Sequence, residues 1–197
     1  SCYQSTSHYR HPYYRRNRNR NGSMDSDYPR NGSRKDRLRL SADFPYLIYC
    51  RPGTDGSIPP HLTAYQGFDA FFHAAEGFIA NCATPISDLY ALEAIRLIYK
   101  YLPVAVADGK NLKARAKIAW ASTLAGMVEA TSSCTSEHSL EHAMSAYYPQ
   151  LPHGAGLIAL SEAYFETFRH DCTKRYMKMA EMMTQKRATV RPISLMH

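Results

Sequence analysis

Three histidines fall within one short stretch, HSLEHAMSAYYPQLPHG, at residues 138–154. His138 and His142 are four apart, and His153 follows a proline. On a helix, side chains four apart lie only roughly 40° from each other around the axis, so these two imidazoles project together. The spacing recurs upstream. FDAFFHAAEG carries Asp69 and His73 on one helical face, among Phe68, Phe71, Phe72 and Phe78. A carboxylate and an imidazole buried on so apolar a face need partners. One first-row divalent cation accepting Asp69, His73, His138 and His153 would satisfy them with three nitrogens and an oxygen, a set suited to Fe(II) or Zn(II). Spacing alone leaves open whether His138 or His142 is the ligand.

HSLEH also fits H-x-x-E-H, a zinc-peptidase signature in which both histidines bind metal and the glutamate, here Glu141, is general base. That chemistry needs a third protein ligand downstream. The glutamates that follow, Glu162, Glu166 and Glu181, sit on helical stretches that read as surface. It would also leave Asp69, His73 and His153 without roles, so the four-residue set is the stronger reading. Glu76, one turn after His73, reads either as a residue that orients a ligand or as a solvated helix charge.

The elements carrying these residues are helical almost throughout. AYQGFDAFFHAAEGFIAN has apolar residues at Phe68, Phe71, Phe72, Ala75, Phe78 and Ile79, the spacing of a core-facing helix. Thr84, Pro85 and Ser87 open a second helix, with Leu89, Leu92, Ile95, Tyr99 and Leu102 on one side and a bend or restart expected at Pro103. NLKARAKIAWASTLAGMVEA is a third, with Ala121, Ala125 and Gly126 permitting close packing. A fourth is expected from about Glu137 to Tyr147, and one or two more follow from residue 153. Met177, Met179, Met182 and Met183 read as core and helix-end filling. The expected fold is an all-α helical bundle over residues 63–197, preceded by a linker at 44–62 with a short strand at FPYLIY.

Residues 1–43 have a different character. The first forty hold ten Lys/Arg against three Asp, which accounts for the whole net charge of +7, and aliphatic residues are nearly absent before Leu38. Such a stretch cannot bury enough apolar surface to offset its ordering entropy, so it is expected to be a disordered basic tail. Arg on phosphates with Tyr13 and Tyr14 stacking on bases would make it an RNA binder, but no RNA-binding module accompanies it, so nucleic acid is not expected as a partner. Five unclustered cysteines suggest free thiols in a reducing compartment. With no apolar run of about 18 residues and no hydrophobic leader, a cytoplasmic protein with no membrane partner is expected.

TAYQGFDAFFHAAEGFIANCATPISDLYALEAIRLIYKYLP, ARAKIAWASTLAGM and HSLEHAMSAYYPQLPHGAGLIAL together resemble the iron-containing (group III) alcohol dehydrogenases, over residues 58–164. The pattern D-x3-H, H-x3-H and PHG carries the resemblance. It implies a dehydroquinate synthase-like helical half, with Asp69, His73, His138 and His153 as ligands of Fe(II), or of Zn(II). His142 matches the family's non-ligand histidine, which stands against nicotinamide and substrate and so serves both catalysis and cofactor binding. The implied reaction is oxidation of a small alcohol to an aldehyde or ketone with NAD or NADP, in a protein that could be a homodimer. Two departures stand out. The interval from His142 to His153 is one residue longer than in the commonest form. No glycine-rich GGGS-type phosphate turn is found, and the resemblance fades after Met183, so the chain is expected to be the metal-binding half, incomplete at its C-terminus. The alternative is a catalytically inactive metal-binding remnant.

Overall fold

A computed structural model of the chain describes residues 56–186. The tail at 1–43 and the strand expected at 44–49 lie outside the described residues. Those described form six α-helices and no strand: α1 Pro60–Ile79, α2 Pro85–Ala107, α3 Leu112–Ser132, α4 Glu137–Tyr147, α5 His153–Thr167 and α6 Thr173–Thr184. The all-α expectation holds. Helix α1 starts inside the stretch read as linker, because Pro60 sits in its first turn, where an N–H has no intrahelical partner anyway.

Local chemistry sets the helix starts. Thr84 and Ser87 form a reciprocal capping box before α2, with Pro85 at the first helical position. Asn111 caps α3 by accepting from the Ala114 N–H at 3.1 Å. Helix α2 runs through Pro103 to Ala107, so the helix does not restart there. Leu102 and Ala105, either side of the proline, are buried, and packing holds the helix across the missing hydrogen bond.

Helices α1, α2 and α3 pack on one another, α4 pairs with α5, α5 lies on α1, and α6 closes against α2. The core is built largely from alanine: Ala74, Ala75, Ala91, Ala94, Ala105, Ala121 and Ala125 are fully buried, with Ile95, Leu97 and Val128. Here the expected face of α2 needs correction. Leu89 is 70% exposed and Tyr99 49%, while the face that meets α1 and α3 carries Ala91, Ala94, Ile95, Ile98 and Leu102. Phe68, expected inside, is likewise exposed. Helices this close leave room for small side chains at the crossing and push large ones off it. Gly67 and Gly77 mark close approaches, since a Cβ would lie 2.2 Å from Leu102 Cδ1 of α2 at the first and 2.2 Å from Val128 Cγ1 of α3 at the second. Arg175 of α6 reaches Asp88 at 2.6 Å and stacks over the Phe78 ring. Among the described residues no helix is long and apolar enough to cross a membrane.

Candidate metal centre

Helix α1 presents Asp69, His73 and Glu76 on one face, α4 brings His138, Glu141 and His142, and α5 contributes His153 as its first residue. The HGAG sequence lets α5 approach so closely. A Cβ on Gly154 would meet the Tyr65 carbonyl of α1 at 2.4 Å, and one on Gly156 would meet Glu141 Cγ of α4 at 2.9 Å. Glycine at both positions seats the His153 ring against the other two helices.

The four side chains converge. Asp69 Oδ1 is 3.5 Å from His73 Nε2, 3.5 Å from His138 Nε2 and 3.3 Å from His153 Nε2. Asp69 Oδ1 and His153 Nε2 are buried without a hydrogen-bond partner. Buried polar atoms are rarely left so. Together with two further imidazole nitrogens these atoms surround a common centre, and once the rings are neutral they form the donor set a divalent cation would accept. His142, half-buried, lies beside this centre with its ring 5.5 Å from that of His153 and 6.4 Å from that of His138. Of the two histidines that spacing left undecided, His138 faces Asp69.

Each ring is also held from behind. His138 Nδ1 bonds the Glu76 carboxylate, and His153 Nδ1 bonds that of Glu141. Glu76, fully buried, accepts in addition from the Thr135 hydroxyl at 2.7 Å and the backbone N–H groups of Glu137 and His138 at 3.1 and 3.0 Å. The solvated reading of Glu76 is thereby set aside. Glu141 is equally buried and accepts from the Ser145 hydroxyl, so its carboxylate is committed to a ring and a hydroxyl rather than to water. His73 differs from both: its Nδ1 meets the Cys134 sulfur at 3.0 Å, with Glu129 Oε2 at 3.8 Å.

Burial alone would raise the Asp69 carboxyl, but His73, His138 and His153 hold it well below the usual carboxylate range. Burial and the adjacent His138 press His73 well below the ordinary imidazole value. An anionic Asp69 and a neutral His73 are the forms a cation needs. Burial pulls His138 and His153 down, yet their neighbours win and both end up raised. Cys134, Asp69 and Glu76 do this for His138, and Asp69 and Glu141 for His153. Burial pushes the Cys134 thiol up to about 12, against the pull of His138. Glu137, whose carboxylate oxygens are buried without a hydrogen-bond partner, is raised to about 8 by burial and then by Glu76.

Sequence reasoning missed Cys134, Glu129, Glu137 and Thr135. The available signal was TSSCTSE, a run of small polar residues directly before a histidine-bearing helix, where backbone and side-chain donors gather.

A helical domain with a buried three-imidazole, one-carboxylate centre defines a class, and the comparisons place the chain within it. Residues 63–194 match the profile described as Fe-containing alcohol dehydrogenase family, C-terminal. The chain belongs to that family, and the match extends to residue 194, past Met183, where the resemblance read from the sequence faded. It is 41% identical over 131 residues to alcohol dehydrogenase 4 of Saccharomyces cerevisiae, covering 66% of this chain and 34% of the yeast protein. It is 40% identical over 96 residues to the NAD-dependent methanol dehydrogenase of Bacillus methanolicus, covering 49% of this chain and 25% of that one. Among solved structures, the iron-containing alcohol dehydrogenase of Thermotoga maritima superposes with a TM-score of 0.62 at 30% identity, over 67% of this chain and 36% of its own. The chain thus spans well under half the length of these relatives.

Proposed function

We propose that this chain is the metal-binding domain of an NAD(P)-dependent alcohol dehydrogenase, acting on a small alcohol or aldehyde. Its cation is Fe(II), with Zn(II) as the other occupant the donor set would take. The observation that carries the reading is the pair of buried atoms without hydrogen-bond partners, Asp69 Oδ1 and His153 Nε2, facing one centre. His73 and His138 complete the set from α1 and α4. A divalent cation bound there would supply Lewis-acid polarisation of a substrate oxygen.

The remaining work falls to this chain's own residues. Glu76 and Glu141, each bonded to an Nδ1, fix the tautomers of His138 and His153 so that Nε2 faces the centre. His142, beside the centre and not among the four, would hold the nicotinamide edge or carry the alcohol proton to solvent, a reading its 5.5 Å ring distance to His153 supports. Hydride transfer itself is the cofactor's chemistry, and the protein contributes position and charge.

Metal analysis after reconstitution with Fe(II) or Zn(II) tests the ligand set. One equivalent per chain is expected, and Asp69→Ala and His153→Ala should each abolish tight binding while the helical circular dichroism persists. Full occupancy in both variants would sink the assignment. Metal binding by the chain with no alcohol oxidation, even when it is joined to a nucleotide-binding half, would favour the inactive remnant.

A further inference from the structure

Each histidine of the centre has a different group against its Nδ1, and the three groups are chemically unequal. His138 and His153 have carboxylates against Nδ1, whereas His73 has the Cys134 sulfur at 3.0 Å, with the nearest Glu129 oxygen at 3.8 Å. His73 and His138 stack with centroids 3.9 Å apart, so a tilt of one ring disturbs the other. Cys134 sits in the non-helical link between α3 and α4, within 4.8 Å of ligand-capable atoms of both His73 and His138.

We infer that Cys134 is the positioning residue of His73. With Nε2 directed at the cation, the ring proton resides on Nδ1 and donates to the Cys134 sulfur, which fixes both tautomer and ring angle. A sulfur accepts more weakly than a carboxylate oxygen, so the Nδ1 support of His73 is the weakest of the three and the one that limits metal retention. The inference rests on the proposed ligand set, and the experiment separates the two.

Co(II) is the probe, bound to the 197-residue chain and followed by its ligand-field absorption and by chelator competition. Cys134→Ala should weaken Co(II) about 10-fold or more, as is typical when a metal ligand loses its supporting partner, and should shift the ligand-field bands. Cys134→Ser, whose hydroxyl can accept the same proton, should restore most of the affinity and the bands. Cys172→Ala, which removes a free thiol at the start of α6, should change neither. If the alanine variant fails to fold, Cys134→Val keeps the volume without an acceptor and carries the same expectation. Unchanged affinity and spectrum in the alanine or valine variant would overturn the inference. So would a sulfur-to-cobalt charge-transfer band in the parent protein that disappears with serine, because Cys134 would then be a ligand itself. Failure of the parent chain to bind Co(II) at all would instead refute both the ligand set and, with it, the role given to Cys134.

Discussion

The interior of this domain solves the burial problem in two ways a few ångströms apart. Where α1, α2 and α3 cross, alanines let backbones approach, and the stabilisation is apolar contact that requires no particular partner. Where α1, α4 and α5 meet, Glu76, Glu137, Glu141, His73 and His138 are all buried within two turns of one another along their helices. That region is stable only insofar as each donor finds its acceptor. The first region therefore tolerates changes of identity that preserve volume. The second tolerates changes of volume poorly and changes of identity hardly at all.

The largest effect should come from Glu76→Ala. The change strands two backbone N–H groups and the His138 Nδ1 at once and leaves the Thr135 hydroxyl only Tyr164, and it should cost on the order of 3–5 kcal/mol in urea unfolding. A loss comparable to a surface substitution would erase the distinction between the two regions. In the alanine crossing, Ala94→Leu should cost about 1–3 kcal/mol by overpacking, with metal content unchanged. Metal loss in that variant would mean the regions are coupled.

Glu137 offers a pH test inside the polar region. Its folded pKa of about 8 lies above the ordinary value of 4.5, so the folded state binds the proton more tightly than the unfolded chain. Stability of the metal-free protein should then fall as pH rises from the unfolded value through about 8, with a slope no steeper than one proton, ~1.4 kcal/mol per pH unit. In Glu137→Gln that part of the slope should vanish, as melting temperatures across this range would reveal. A parallel profile in the variant would remove Glu137 from the account. Least of all, Leu89→Ser on the exposed side of α2 should change stability by no more than about 0.5 kcal/mol, although periodicity had placed Leu89 in the core.

The sequence by itself determined the helices and the convergent histidines, because both follow from short-range geometry. A 3.6-residue period fixes the angle between Asp69 and His73, and between His138 and His142, whatever the helices pack against. Capping signals at Thr84 and Asn111 are equally local. Tertiary structure alone decided the rest. Periodicity gives an apolar stripe on α2 but not which edge meets a neighbour, and the closeness of the crossing chose Ala91 and Ala94 over Leu89 and Tyr99. Glu76 and His138 are 62 residues apart, and His73 and Cys134 are 61 apart, so no spacing rule connects them. Those pairs exist because α1 and the α3–α4 link are brought side by side, where a buried ring nitrogen takes the nearest acceptor that the packing supplies.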